Sequence, residues 1–210
     1  MTRGGLARHL STCVQRQAAI RAADQKGGAA QELYHLQVQD AGRGDYWLHL
    51  ELNGRATLQA LDQYLRVIWL ECCGHLSQFS LGGWRGAEIA KPQRAERVFQ
   101  PGVELTYIYD FGTSSEIVIK VVGERQGRPL STYPIVLMGR NDPPEASCMQ
   151  CQQRAAWLCL ECRHEWGESG TLCQEHAAAH PHEEYGEPLP LVNSPRVGLC
   201  GYEGPAQPPY

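Results

Sequence analysis

The sequence predicts an α+β fold followed by a small zinc-binding module. Three observations predict it. Alternating apolar strands flank one amphipathic helix in the first two thirds of the chain. The stretch Asn141-Asp142-Pro143-Pro144 then stops regular structure. Beyond it, cysteines and histidines crowd together at short, repeated spacings.

Residues 1–30 read as a helical or flexible segment with Leu6, Leu10, Cys13 and Ile20 near one helix face, closing at Lys26-Gly27-Gly28. The α+β domain spans residues 31–140. Tyr34, Leu36 and Val38 alternate with polar residues, as do Tyr46, Leu48, Leu50 and Leu52 across the turn Gly42-Arg43-Gly44-Asp45, which predicts a hairpin. Thr57 is a candidate N-cap, and Leu58, Leu61, Leu65, Ile68 and Cys72 recur at helical spacing up to Gly74. A short strand follows at 78–81, a loop at Gly82-Gly83-Trp84-Arg85-Gly86, and one helical turn at 95–99. Leu105, Tyr107 and Tyr109 predict a strand, Asp110-Phe111-Gly112-Thr113 its turn, and Ile117, Ile119 and Val121 the return, with a last strand at 135–138. This order describes a small mixed or antiparallel sheet with a packed helix, a β-grasp-like arrangement. Residues 141–147 read as a linker, 148–184 as the zinc module, and 185–210 as a Pro/Gly-rich tail.

The charge is uneven: the formal net charge of −4 divides into +3 over residues 1–140 and −7 over residues 141–210. An acidic zinc module argues against a nucleic-acid grip, which needs clustered Lys and Arg at phosphates. No apolar run is long enough for a membrane helix. The first 22 residues carry Arg3, Arg8, Arg16 and Arg21 and no acid, a pattern shared by transit peptides and by short surface helices; a secretory apolar stretch is missing. Nine cysteines without such a signal point to a reducing, cytoplasmic setting in which thiols serve metal.

Eight candidate ligands fall into four pairs: Cys148/Cys151, Cys159/Cys162, Cys173/His176 and His180/His182. A two-residue gap lets both donors of a tight turn face one ion, and four N or S donors close a zinc site to water. A cross-brace would assign Cys148, Cys151, Cys173 and His176 to one ion and Cys159, Cys162, His180 and His182 to a second. The rival is a single finger from Cys159, Cys162, His176 and His180, with Trp166 and Leu172 in its core. That finger would contain Gly167-Glu168-Ser169-Gly170 and strand Cys148, Cys151 and Cys173. Cys200 is a candidate substitute for His182, a residue that follows Pro181 and precedes Glu183 and Glu184. A closed donor set supports structural zinc, because no coordination position is left to activate water.

Several strings resemble the Ri-plasmid ORF-three-like family. They are the residues from Tyr46 to Leu52, from Ile68 to Ser77, from Tyr107 to Gly112 and from Val121 to Arg125. The stretch from Val192 to Arg196 and Cys200-Gly201-Tyr202 resemble a bacterial branch with a zinc appendage. The resemblance implies a compact α+β domain with no established activity. It also implies Cys where this chain has His176 and His182, an exchange zinc accepts.

Outside the module, His75, Asp110, Glu71 and His49 are the polar residues of the family-like strings, and His75 with Asp110 would be the candidates for an acid–base pair. The simpler expectation is that Asp110 shapes its turn and His75 caps the helix. Cys72-Cys73 reads as core packing more readily than as a redox pair. The resulting functional expectation is a non-enzymatic adaptor that binds a protein or peptide at a sheet edge and carries two zinc ions. An enzyme built on His75 and Asp110, or a nucleic-acid-binding protein linked to mobile DNA, is the alternative.

Overall fold

The computed structural model describes residues 1–182 and 184–210; Glu183, one of the two carboxylates after His182, lies outside them. Seven strands form one sheet: β1 (Gln31–Asp40), β2 (Trp47–Asn53), β3 (Ser77–Leu81), β4 (Ala87–Ile89), β5 (Glu104–Tyr109), β6 (Ser115–Gly127) and β7 (Ile135–Arg140). Their order is β4-β3-β5-β6-β1-β2-β7, and each adjacent pair is antiparallel. The sheet is therefore larger than the small β-grasp-like one expected. The strand β4 falls in a charged stretch with no alternation to announce it.

One face of the sheet carries the core. Tyr34, Leu36 and Val38 of β1, Leu48, Leu50 and Leu52 of β2, and Ile117, Ile119 and Val121 of β6 meet Leu58, Leu61, Leu65, Ile68 and Trp69. The helix α3 (Leu58–Leu65) starts as expected, with the Thr57 hydroxyl accepting from the Ala60 N–H at 3.3 Å. It continues only through a π-helical turn, Arg66–Leu70, and ends there. The expected run to Gly74 is corrected: Glu71 leaves the helix, its N–H donating to the Arg66 carbonyl. Cys72 is consequently a half-buried loop residue, and His75 does not cap the helix.

The second face is covered at β2. Strand β2 is buried on both sides, so Trp47, His49 and Glu51 are shielded as well as the alternating leucines. Two N-terminal helices cause this, α1 (Arg3–Thr12) and α2 (Val14–Gln25), broken at Cys13 where a single surface helix was expected. His49 Nε2 lies 3.1 Å from the Arg3 carbonyl, and Arg16 reaches the Glu51 carboxylate at 2.7 Å. At Gly139 a Cβ would come within 2.5 Å of the Leu6 side chain, so glycine there permits the helix to approach. His35 and His49 touch ring to ring at 2.7 Å beneath this cover. Burial, then His49 and Arg16, push the His35 pKa down to about 4; burial also lowers that of His49.

The last segment is not a free tail. Leu189–Pro190 form a short strand, and Ser194, Arg196, Tyr202 and Ala206 are buried. Asn141 and Asn193 hydrogen-bond to each other, and Asn141 Oδ1 accepts from the Trp47 N–H at 2.9 Å. The Ser194 hydroxyl donates to the Trp69 carbonyl at 2.5 Å, and Tyr210 stacks on Tyr133. Residues of the C-terminal segment thus pack against the α+β layer.

Candidate metal centre

The module is built on three two-residue strands, β8 (Trp157–Leu158), β9 (Thr171–Leu172) and β10 (Leu189–Pro190), and two single-turn helices, α4 (Leu160–His164) and α5 (Gln174–Ala178). Its own core consists of Cys148, Cys159, Cys162, Leu172 and Cys173. Thiols in the place of a hydrocarbon core are what a metal-organised fold requires.

Each ligand pair sits where local structure aims it. Cys159 N-caps α4, and its sulfur accepts the Cys162 N–H at 3.4 Å, which orients both thiols to one side. Cys173 likewise precedes α5 and places His176 one turn on. The stretch Gly167-Glu168-Ser169-Gly170 is the loop that joins α4 to β9. Gly170 has φ +67°, and a Cβ there would strike the Cys159 carbonyl at 2.4 Å. Glycine is therefore needed for the hairpin that closes the site.

The donor atoms form two groups. Cys148, Cys151, Cys173 and His176 lie within 4.8 Å of one another, and so do Cys159, Cys162, His180 and His182. In the first, Cys151 Sγ and Cys173 Sγ are 3.7 Å apart, and His176 Nδ1 is 3.6 Å and 3.1 Å from Cys148 and Cys173. In the second, His182 Nδ1 lies 3.7 Å and 3.1 Å from Cys159 and Cys162, and His180 Nε2 lies 3.2 Å from Cys162. A tetrahedral zinc with bonds of about 2.3 Å to sulfur and about 2.0 Å to nitrogen has S···S edges near ~3.8 Å and S···N edges near ~3.5 Å. The donor sets therefore fit a metal of zinc's size and preference. His176 belongs to the first group, so the single-finger pairing is not formed. Trp166, a core residue of that finger, is instead 64% exposed and stacks on the His182 ring.

The other candidates separate. Cys200 does not approach His182; it lies beside Cys73 and His75. Asp110 sits at φ +67° and accepts the Gly112 and Thr113 N–H groups at 2.9 and 3.2 Å, the Asx turn expected. Its other oxygen pairs with the fully buried Arg196 at 2.6 Å. The Arg196 guanidinium, against the pull of burial, holds the Asp110 carboxyl below its ordinary range. His75 Nε2 is 3.5 Å from the same oxygen. Both Asp110 oxygens are thus already engaged, and a cavity of about 660 Å³ between the β1–β2 turn, the module and the C-terminal segment is not lined by either residue.

Two buried carboxylates organise networks that no motif in the sequence announces. Asp62, 2% exposed, accepts from Tyr107 at 2.8 Å and Ser77, and pairs with Lys91 at 3.1 Å and Arg66 at 3.0 Å. Burial raises its pKa, and these donors outweigh burial and lower it. Glu51 is held between Arg16 and Arg125. Asp62 is interspersed on an apolar helix face, and no sequence signal distinguishes it from a solvated acid.

No helix of the described residues is long and apolar enough to cross a membrane. No family model matches the chain, and no curated protein is significantly similar to it. Among solved structures, the chain is similar to a protein of unknown function from Methanosarcina mazei Go1, with 16% identity, a TM-score of 0.44, and coverage of 52% of this chain and 69% of that one. The chain itself is an α+β protein with an antiparallel sheet, a packed helix and Cys/His clusters able to chelate metal.

Proposed function

We propose that this protein is a non-catalytic, cytoplasmic zinc protein of the Ri-plasmid ORF-three-like type, in which a module holding two zinc ions supports an α+β domain that binds a protein or peptide partner. The observation that carries the reading is that both module clusters supply four protein donors each. An ion so enclosed has no position for substrate or activated water and contributes folding free energy.

The partner-binding part rests on the β4 edge of the sheet. That strand has three residues, and among the described residues no strand pairs with its outer side. Trp84 in the β3–β4 turn and Phe111 in the β5–β6 turn are 42% and 46% exposed and pack edge to face at 5.9 Å. A short edge strand suits an extended peptide, whose backbone adds to the sheet, and an exposed aromatic pair on the same domain offers rings on which an apolar side chain can rest.

The test compares proteins captured in cells by the wild type and by Trp84→Ala/Phe111→Ala, with Val67→Ala as a surface control. The expected result is a partner retained by the wild type and the control and lost by the aromatic variant, with metal content unchanged. Identical capture by all three chains would refute the docking site. Turnover that depends on metal and survives in no Cys148→Ser or Cys159→Ser variant would refute the non-catalytic reading.

A further inference from the structure

A third cluster of metal-ligand side chains lies outside the module. Cys72, Cys73 and His75 follow the end of the π-helical turn, and Cys200 arrives from the C-terminal segment; their donor atoms all fall within 4.8 Å of one another. Cys72 and Cys73 sulfurs are 3.8 Å apart, and Cys73 and Cys200 sulfurs 3.6 Å. His75 Nε2 is 3.0 Å from Cys73 and 3.4 Å from Cys200. These separations match the edges of a zinc tetrahedron as well as those of the two module clusters do. A disulfide needs sulfurs at about 2.05 Å, far closer than any pair here.

The surroundings are those of a ligand site. Gly74 at φ +81° turns the chain between Cys73 and His75, and its N–H donates to the Glu71 carboxylate at 2.6 Å. Cys200 is held at φ +51°, a conformation rare for a residue with a side chain, and it faces the cluster there. The Tyr109 hydroxyl is 3.7 Å from the Cys72 sulfur, and an Arg196 N–H reaches it at 3.5 Å. Three thiolates and one imidazole leave a zinc site with a net charge near −1, and an N–H donated to a bound sulfur, as Arg196 donates to Cys72, is the kind of outer contact that stabilises such a thiolate.

We propose that Cys72, Cys73, His75 and Cys200 bind a third zinc ion, which clasps the C-terminal segment to the end of the core helix. Thiolates with imidazole select zinc over hard cations such as magnesium or calcium. The site joins residues more than a hundred positions apart, beside the Arg196–Asp110 pair that brings the segment to the sheet. Because Cys73 and Cys200 are exposed, this ion is the most accessible of the three.

The test uses the full chain purified with a phosphine reductant and without added chelator. Elemental analysis should give three zinc ions per chain in the wild type and two in Cys73→Ser and in Cys200→Ser. Cys148→Ser should keep the third ion, so failure of the module and failure of this site are distinguishable. Thiol alkylation of the native wild type supplies a readout that needs no variant. Eight of the nine cysteines would be metal-bound, and only Cys13 should react at once. Prompt reaction of four thiols, Cys13, Cys72, Cys73 and Cys200, would overturn the proposal. So would a wild type with two ions whose content neither serine variant changes.

Discussion

Removing the Arg196 guanidinium is the most informative single perturbation of the fold. The side chain is fully buried and donates to Asp110 at 2.6 Å, to the Thr113 carbonyl at 2.5 Å and to the Ser115 hydroxyl at 3.2 Å. Its guanidinium also lies 5.1 Å from the Tyr109 ring centre. In Arg196→Met the methionine fills most of the space, but Asp110 is left 5% exposed with a charge and no cation. Stranding one partner of a buried pair costs about 3–5 kcal/mol. The cost has a ceiling, because the C-terminal segment can detach and let water reach Asp110. Asp110→Asn is a clean partner variant: Asn tolerates positive φ and keeps an oxygen for the Gly112 and Thr113 N–H groups. Urea unfolding at pH 7.5 with zinc in excess, followed by tryptophan fluorescence, should show Arg196→Met destabilised by about 3 kcal/mol or more. The double variant should recover part of that loss, giving a coupling energy of about 1–3 kcal/mol. A single-variant loss under about 0.5 kcal/mol, or zero coupling, would refute the view that this pair anchors the segment.

Two further outcomes follow from the same packing. His35 is held neutral in the folded chain down to about pH 4 but protonates near its ordinary 6.5 when unfolded, so the unfolded state binds the extra proton. Its contribution is intact above about pH 6.5 and falls by about 1.4 kcal/mol per unit down to about pH 4, roughly 3 kcal/mol in all; His35→Gln should flatten the stability profile between pH 6.5 and 4.5, and an unchanged slope would count against burial as its cause. A chain ending at residue 140 needs none of the module ligands, yet it loses Ser194 on Trp69, Arg196 on Asp110 and Tyr202. Its far-UV circular dichroism should be sheet-like without metal, with an unfolding midpoint well below that of the full chain; equal midpoints would show that the C-terminal segment adds nothing.

The sequence by itself determined what depends on spacing along the chain. Alternation at Leu48, Leu50 and Leu52 marks a strand with one core face, because side chains repeat every two residues. The Leu58–Leu65 face marks a helix with its Thr57 cap. The Cys-x2-Cys and Cys-x2-His intervals mark ligand pairs, because a tight turn can aim two donors at one point. What lies between distant segments was decided only in three dimensions. His49 and Glu51 stand between the core-facing leucines of β2, and their burial comes from two N-terminal helices that no interval in the sequence links to that strand. Cys72 read as a helix-face residue until the π-helical turn ended the helix early and swung it toward Cys200. A buried Arg196 in a segment rich in Pro and Gly has no periodicity to announce it. Its burial depends on a partner 86 residues away, and no interval in the sequence encodes that distance in space.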